Sequence, residues 1–190
     1  MIAHFMTEGA RSGGAMPYQY VREPLTAEEA DRLANACETP TEQLIVWTLL
    51  DTGLRISELC DLTSKDVLWQ QRQLRVRGKG GPYGKKSKVR VVPMSRRVRA
   101  LLEHHFTLHK EFPVRARRAQ GLVKQVANRA GLTKDVTPQV LRHTFAATAL
   151  QKGISLATVQ KILGHDRLQT TAIYLNFTDT HIQEEFERKW

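Results

Sequence analysis

The spacing of apolar side chains changes twice along this chain, and this limits the folds that it can adopt. The first part, as far as "RISELCDL", has apolar residues at helical spacing. The segments "QLRVRG" and "SKVRVVP" then alternate apolar with basic residues, which is typical of half-buried strands. Leu74 and Val76 would lie on one face, and Arg75 and Arg77 on the other. After Ser95 helical spacing returns, so we predict a mainly α-helical fold with one small antiparallel β-sheet or hairpin.

Capping signals predict several of the helix ends. Thr26 and Glu29 form a capping box before the first helix, and Gly53 would end the second helix, "TEQLIVWTLLDTG", which is apolar enough to be central. Thr137 and Pro138 suit the N-cap and first position of a later helix. Other helices are predicted in "SRRVRALLEHHFTLHK", "AQGLVKQVANRAG", the segment that starts at Ser155, and the last twelve or so residues, "DTHIQEEFERKW".

The net charge indicates a polyanionic partner. Lys and Arg number 29 against 19 Asp and Glu, a formal charge of +10, and they concentrate in "RQLRVRGKGGPYGKKSKVR", "SRRVR" and "RARR". This pattern favours nucleic acid over a membrane surface, although charge alone also fits an ordinary basic domain. No apolar run approaches the roughly 20 residues that cross a bilayer. Cys37 and Cys60 lack the spacing of a zinc site or a disulfide framework, so we expect a reduced, cytoplasmic protein.

The chain is predicted to form one domain. Residues 1–22 are rich in small side chains and lack the features of a signal peptide, so we expect a flexible leader there. Residues 23–190 would form the folded domain.

Several polar residues lie near predicted helix ends, where they could bind an anion. Gln139, Arg142 and His143 fall three and four positions apart on one helical face, and an arginine beside a helix N-terminus suits a phosphate. His165 follows the Gly164 that would end the next helix. Each of these residues, taken alone, is more often an ordinary surface or core residue than a functional one. The same holds for Arg55 with its neighbour Glu58, for Lys79 and for Tyr174.

Taken together, these motifs resemble the catalytic domain of the tyrosine recombinases, the phage-integrase family. The segments that carry the resemblance are "TGLRISEL", "GKG" before "VRVVP", "LRHTFA", "ILGH" and a tyrosine after that histidine, at intervals similar to those of the bacterial chromosome-dimer-resolving members. The resemblance covers roughly residues 24–190. It implies phosphate-clamping arginines at Arg55 and Arg142, a hairpin lysine at Lys79, a phosphate-binding histidine at His165, a nucleophile at Tyr174, and supporting roles for Glu58 and His143.

The chemistry of these side chains agrees with that resemblance. A tyrosine hydroxyl can break a DNA phosphodiester by forming a phosphotyrosyl ester, which conserves the bond energy. Two guanidiniums suit the charge that gathers on the non-bridging oxygens. Lys79 can protonate the departing oxygen as general acid, and we expect neither a metal ion nor a cofactor.

Two departures from the family pattern leave other functions open. The family usually carries a further N-terminal DNA-clamping domain, which we take to be absent here. Gln139 stands where the family normally has a histidine, and a glutamine cannot take a proton from the tyrosine. A catalytically weakened DNA-binding accessory module and a topoisomerase-like enzyme therefore remain alternatives to the recombinase.

The expected partners are double-stranded DNA and further copies of the chain, as a dimer or tetramer on DNA. In the predicted last helix Ile182, Phe186 and Trp190 recur at four-residue spacing and could pack on a neighbouring protomer or on the chain's own core. The residues expected to contact DNA are basic and lie on or between the two strands: Arg75, Arg77, Lys85, Lys86, Lys88 and Arg90.

Overall fold

The computed structural model describes residues 23–78 and 89–165. Its helices are α1 (Ala27–Asn35), α2 (Pro40–Thr52), α3 (Ile56–Cys60), α4 (Arg96–Leu108), α5 (Ala116–Arg129), α6 (Pro138–Gln151) and α7 (Leu156–Leu163), with a short 3-10 turn at Ser64–Asp66. The strands β1 (Val67–Leu68), β2 (Gln73–Arg77) and β3 (Val89–Pro93) form one antiparallel sheet in the order β1-β2-β3. The prediction of a mainly α fold with a small antiparallel sheet is confirmed.

The helix ends follow the capping signals closely. Thr26 and Glu29 form the predicted capping box at the start of α1, with hydrogen bonds of 2.9 and 3.1 Å. Thr137 caps α6, with Pro138 at its first position. Gly53 ends α2 in the left-handed conformation, with φ +62°. These ends depend on contacts within four residues, which is why the sequence predicts them well.

The sheet differs from the prediction in two respects: it has an additional strand, β1, and Arg90 of β3 lies on its inner side. β1 was not predicted, because two residues are too few to show alternation. The alternation in β2 is confirmed, since Leu74 and Val76 are buried and the arginines between and after them are exposed. In β3 the valines Val89 and Val91 are 57% and 46% exposed, whereas Arg90 lies on the inner side.

Pairing with β2 explains the orientation of β3. Val92 lies opposite Leu74 and Arg90 opposite Val76, so Arg90 shares the face of the buried residues. The segment "VRVV" carries valines on both faces, and its own pattern does not distinguish them.

α2 is the central element, and its position brings the later parts of the chain together. It packs against α1, α3, α4, α5 and α6, with Ile45 and Leu49 fully buried. α7 packs against both α6 and β3. As a result the C-terminal end of α2, the first half of α6, the C-terminal end of α7 and strand β3 all meet at one place.

Some predictions concern residues outside the described ranges. These are the leader at residues 1–22, the hairpin tip at 79–88, and the segment from 166 onward that includes the predicted last helix. Among the helices of the described ranges, none has the length and apolar character needed to cross a membrane.

Candidate active site

Arg142 is the most deeply buried charged residue of the candidate site. Its exposure is only 2% although it lies in the first turns of α6. Nη1 donates to the carbonyl of Gly53 at 2.6 Å, and Nη2 donates to the carbonyl of Leu163 at 2.7 Å. Both carbonyls stand at the C-terminal ends of helices, where the partial charge is negative. Arg142 is therefore a fixed internal cation rather than a solvated arginine at a helix end.

Glycine at position 53 permits this arrangement. A Cβ on Gly53 would lie 2.8 Å from Cδ2 of Leu163 and would also meet the ring of Phe145. The positive φ and the close approach of α7 both favour glycine here. Gly53 thus places its carbonyl against Arg142 and lets α7 pack close to α2.

His165 lies beside Arg142, on the turn that follows Gly164. Its Nε2 is 3.1 Å from Nη2 of Arg142. Because a guanidinium can only donate, Nε2 of His165 is the acceptor, and the neutral ring carries its proton on Nδ1. The main-chain carbonyl of His165 accepts a hydrogen bond from Nε2 of Gln160 at 3.1 Å, which holds the turn against α7.

The surroundings of His165 keep its ring uncharged. Burial, which has the largest effect, and the positive charges of nearby groups together lower the pKa of His165 to about 4. The groups that contribute are Arg142, Arg55, His143 and Arg90. These groups are far apart in sequence, and among them Arg142 is in direct hydrogen-bond contact with the ring.

Arg55 and Glu58 form the second part of the site, at the start of α3. The Glu58 carboxylate accepts from the main-chain N–H of Arg55 at 2.9 Å and from its Nη1 at 3.0 Å. The side chain of Glu58 is 5% exposed, whereas that of Arg55 is 47% exposed. Arg55 is thus braced from the protein side and accessible from the solvent side.

Arg90 completes the brace in a way that the sequence did not predict. Its Nη1 and Nη2 each donate to Glu58 at 2.8 Å, and its Nε donates to the carbonyl of Ile162 at 2.7 Å. Burial would raise the pKa of Glu58, but the hydrogen bonds and charges of Arg90 and Arg55 outweigh it and lower the pKa to about 2. Arg90 was expected to contact DNA because it lies in a run of basic residues, and no local signal distinguishes it from its neighbours.

Gln139 and His143 lie at different depths of the same helix. Gln139 is exposed in the first turn of α6. His143 is 6% exposed, and burial lowers its pKa to about 4. Gln139 is therefore accessible to solvent three positions before Arg142, while His143 is a buried, neutral side chain.

The structure describes only some of the other predicted site residues. Arg75 and Arg77 are exposed on the outer face of β2, and Arg77 also lies 3.4 Å from Asp66. The remaining predicted site and DNA-contact residues lie outside the described ranges: Lys79, Lys85, Lys86, Lys88 and Tyr174. In residues 23–78 and 89–165 no three His, Cys, Asp or Glu side chains are grouped so as to hold a metal ion.

The assembled groups are suited to binding a single oxyanion. Arg55 presents a guanidinium to solvent, and its charge acts on the ring of His165, which is in hydrogen-bond contact with Arg142. Hydrogen-bond donors that are already oriented by the protein need little reorganisation when a charged group arrives.

Comparison with known proteins identifies relatives of this chain. The model of the "Phage integrase family" matches residues 23–181. Tyrosine recombinase XerA of Pyrococcus horikoshii is 33% identical over 178 residues, which cover 86% of this chain and 60% of the relative.

Two solved structures are similar to the described fold. A crystal structure of XerA recombinase has a TM-score of 0.76 at 31% identity, covering 90% of this chain and 66% of that chain. The Tn1549 transposon integrase in complex with circular intermediate DNA has a TM-score of 0.66 at 26% identity, covering 80% of this chain and 60% of that one. This chain thus spans about three fifths of the length of the curated relative.

Proposed function

Because the chain belongs to the phage integrase family, we propose that it cleaves and rejoins DNA at specific sites through a 3′-phosphotyrosyl intermediate. The observation that carries the proposal is the convergence of Arg55, Arg142 and His165. Arg142 and His165 are in hydrogen-bond contact, and Glu58 holds Arg55. Arg90 links the two pairs, because it bonds both to Glu58 and to the Ile162 carbonyl at the end of α7. Three donors at one wall of the protein match the oxygens of one scissile phosphate.

In the proposed reaction the Tyr174 hydroxyl attacks the phosphorus of a DNA phosphodiester. A bond forms between the tyrosine oxygen and phosphorus as the bond to the 5′ oxygen breaks, which leaves a 3′-phosphotyrosine and a free 5′ hydroxyl. Lys79 donates the proton that the departing 5′ oxygen requires. Attack of another 5′ hydroxyl on the phosphotyrosine reverses these steps and releases the tyrosine. The energy of the phosphodiester is conserved throughout.

Arg55 and Arg142 stabilise the transition state of both steps. The attacked phosphorus becomes pentacovalent, and negative charge builds on its non-bridging oxygens. Forked guanidiniums bind such oxygens with better geometry than a point charge does. In the tautomer held by Arg142, His165 contributes its Nδ1–H to the same oxygens.

Gln139 makes the reaction slow in this proposal. A glutamine amide can donate a hydrogen bond to the phosphate, but it cannot accept the tyrosine proton. His143 is a poor substitute base, because it is buried and its pKa is lowered to about 4. The tyrosine proton then passes to water or to the phosphate itself, without a positioned base.

The proposed partner is double-stranded DNA, bound largely through its backbone. The exposed Arg75 and Arg77 and the hairpin lysines at 85, 86 and 88 supply phosphate contacts, whose strength falls steeply with salt. The structure of the related Tn1549 integrase contains DNA, which supports this partner. We further propose that copies assemble as a dimer or tetramer on DNA through the segment with Ile182, Phe186 and Trp190.

A nicked duplex that traps the covalent intermediate tests the proposal. In this suicide substrate a nick near the scissile phosphate lets the short 5′ fragment diffuse away, so the adduct accumulates. Because the target sequence is not defined by the residues of the site, a library of nicked duplexes is used and the trapped DNA is sequenced. We expect an adduct with the wild-type chain and none with Tyr174→Phe. If the wild-type chain forms no adduct with any duplex, the recombinase proposal fails.

A second candidate function is a DNA-binding accessory module, and Gln139 is the observation that favours it. Such a module would bind the duplex library with the expected salt dependence and would form no adduct. If Gln139→His then restored adduct formation, the weakened module would be the better description. A topoisomerase-like enzyme would instead form adducts without sequence preference and relax supercoiled plasmid. A sequence preference among the trapped duplexes would argue against that third function.

A further inference from the structure

The side chain of Arg90 joins the two halves of the candidate site. Its guanidinium makes three hydrogen bonds, two to the Glu58 carboxylate and one to the Ile162 carbonyl, all between 2.7 and 2.8 Å. Glu58 in turn holds Arg55. Ile162 belongs to the last turn of α7, after which the chain reaches His165. Arg90 is therefore bonded both to Glu58, which holds Arg55, and to the end of α7, which leads to His165.

Arg90 is also packed tightly against the turn that carries His165. A Cβ built on Gly164 would lie 3.0 Å from Cδ of Arg90, 3.1 Å from its Nε and 3.3 Å from its Cζ. The Arg90 side chain is only 13% exposed. It thus fills the space between β3, α3 and the end of α7, and neither end of the site can shift without moving it.

We propose that Arg90 is a positioning residue, which sets the distance between Arg55 and His165 by binding Glu58 and the end of α7 at the same time. This inference rests on the proposed function, since it assigns Arg90 a part in the same reaction. Arg90 need not touch the DNA to act in this way. It keeps Arg55 and His165 at the spacing that one phosphate requires. Misplacing a reacting group by about 1 Å can lower a rate by about 100-fold.

The geometry requires a guanidinium rather than any cation. The three N–H groups of Arg90 point to two acceptors on Glu58 and one on Ile162, in the fixed plane of the guanidinium. A lysine at this position keeps the charge opposite Glu58 but cannot bind both carboxylate oxygens and the carbonyl together. Arg90→Lys should therefore fall between wild type and Arg90→Met in cleavage.

The experiment measures single-turnover adduct formation at saturating DNA, with DNA affinity measured separately. We expect Arg90→Met to lower the cleavage rate by about 10- to 100-fold and to change the Kd for DNA by less than about threefold. Added methylguanidinium should restore part of the rate to Arg90→Ala, because it can occupy the vacated space. Arg32→Met is the matched control, since Arg32 is an exposed arginine on α1.

Two results would overturn the proposal. A folded Arg90→Met protein that cleaves at the wild-type rate would show that Arg90 positions nothing. A variant that loses DNA affinity but cleaves normally at saturation would make Arg90 a DNA contact instead. Thermal unfolding is recorded for each variant, and if Arg90→Met does not fold, Arg90→Lys is compared with wild type in its place.

A measurement without DNA separates this proposal from the proposed function. Spectra of ¹⁵N-labelled histidine report the environment of His165 even if the chain forms no adduct. Removing Arg90 withdraws a positive charge from the ring and loosens the end of α7, so the His165 signal should shift and its pKa should rise in Arg90→Met. Arg32→Met should leave both unchanged. An unaltered His165 signal and titration in Arg90→Met would refute the positioning role.

Discussion

Nη2 of Arg142 lies 3.1 Å from Nε2 of His165, so a buried cation donates a hydrogen bond to a neutral imidazole. This contact leaves the Nδ1–H of His165 as the ring's only donor in the neutral form. Burial of the ring and, after it, the positive charges around it favour that neutral form. A bound phosphate would offset those charges, and the protonation of His165 therefore becomes a measurable sign of phosphate binding.

We expect DNA binding to take up protons near pH 5. The pKa of His165 is about 4 in the DNA-free protein, and an adjacent phosphate should raise it. At about pH 5, between this value and the ordinary histidine pKa of about 6.5, part of the protein population would then gain a proton on binding. Calorimetric titrations in buffers of different ionisation enthalpy measure this uptake. His165→Asn should reduce it, and equal uptake by both proteins would contradict the prediction.

Acid should destabilise the fold before the carboxylates titrate. The pKa of His143 is about 4 in the folded chain, below its ordinary value of about 6.5, so folding favours the neutral ring. The stability from this difference is fully present above about pH 6.5 and is lost as the pH falls toward 4, by up to about 3 kcal/mol. Urea unfolding at several pH values from 7 to 4.5 measures this loss in the free energy of unfolding.

The contributions of the histidines and of Glu58 to the stability of the fold are lost in different pH ranges. The pKa of Glu58 is lowered from 4.5 to about 2, so its contribution is present above 4.5 and is lost only as the pH falls through 2. His143→Gln should reduce the slope between about pH 6.5 and 4.5 without abolishing it, because the pKa of His165 is also lowered to about 4. His104→Gln, at an exposed position of α4, is the control. A slope in His143→Gln that equals that of the wild-type chain would show that His143 does not contribute.

Gln139→His should accelerate cleavage by at least about tenfold at neutral pH. A positioned acid–base group contributes about 10²–10⁴-fold, and Gln139 is exposed in the first turn of α6, so a histidine there would be accessible. The rate should also depend less on pH above 7, because the histidine and not hydroxide would take the proton. Adduct formation on the nicked substrate measures both effects. An unchanged rate would mean that another group already acts as the base.

Gly53→Ala should damage the fold and the site more than Gly131→Ala. Both glycines have a positive φ, of +62° and +65°, which costs an alanine about 1–2 kcal/mol. Only Gly53 is crowded, since its added Cβ would lie 2.8 Å from Cδ2 of Leu163, whereas nothing lies within 4 Å at Gly131. The crowding should add about 1–3 kcal/mol.

Urea unfolding of the two alanine variants gives the difference in stability directly. Cleavage should fall only in Gly53→Ala, because the carbonyl of Gly53 holds Arg142. Equal losses of stability in the two variants would show that α7 can yield to the added methyl group.

The sequence by itself determined the local structure of this protein. Helix α1 begins at the Thr26–Glu29 capping box, α2 ends at Gly53 and α6 begins at Thr137, all as predicted. These signals act over three or four residues, so they can be read without knowing what else is near. The order of the motifs also indicated the family, because each motif is a short run of adjacent residues.

The tertiary structure decided the burial and the protonation of the side chains in the site. Arg142 is buried and bonds to Gly53, 89 positions away, and Arg90, which the pairing of β3 with β2 turns inward, bonds to Glu58, 32 positions away. Neither burial nor protonation can be read from a run of adjacent residues, since desolvation and charge depend on what the whole fold brings near. For the same reason the sequence identified His165 as a candidate, and only the packing of α6, α7 and β3 around it lowers its pKa to about 4.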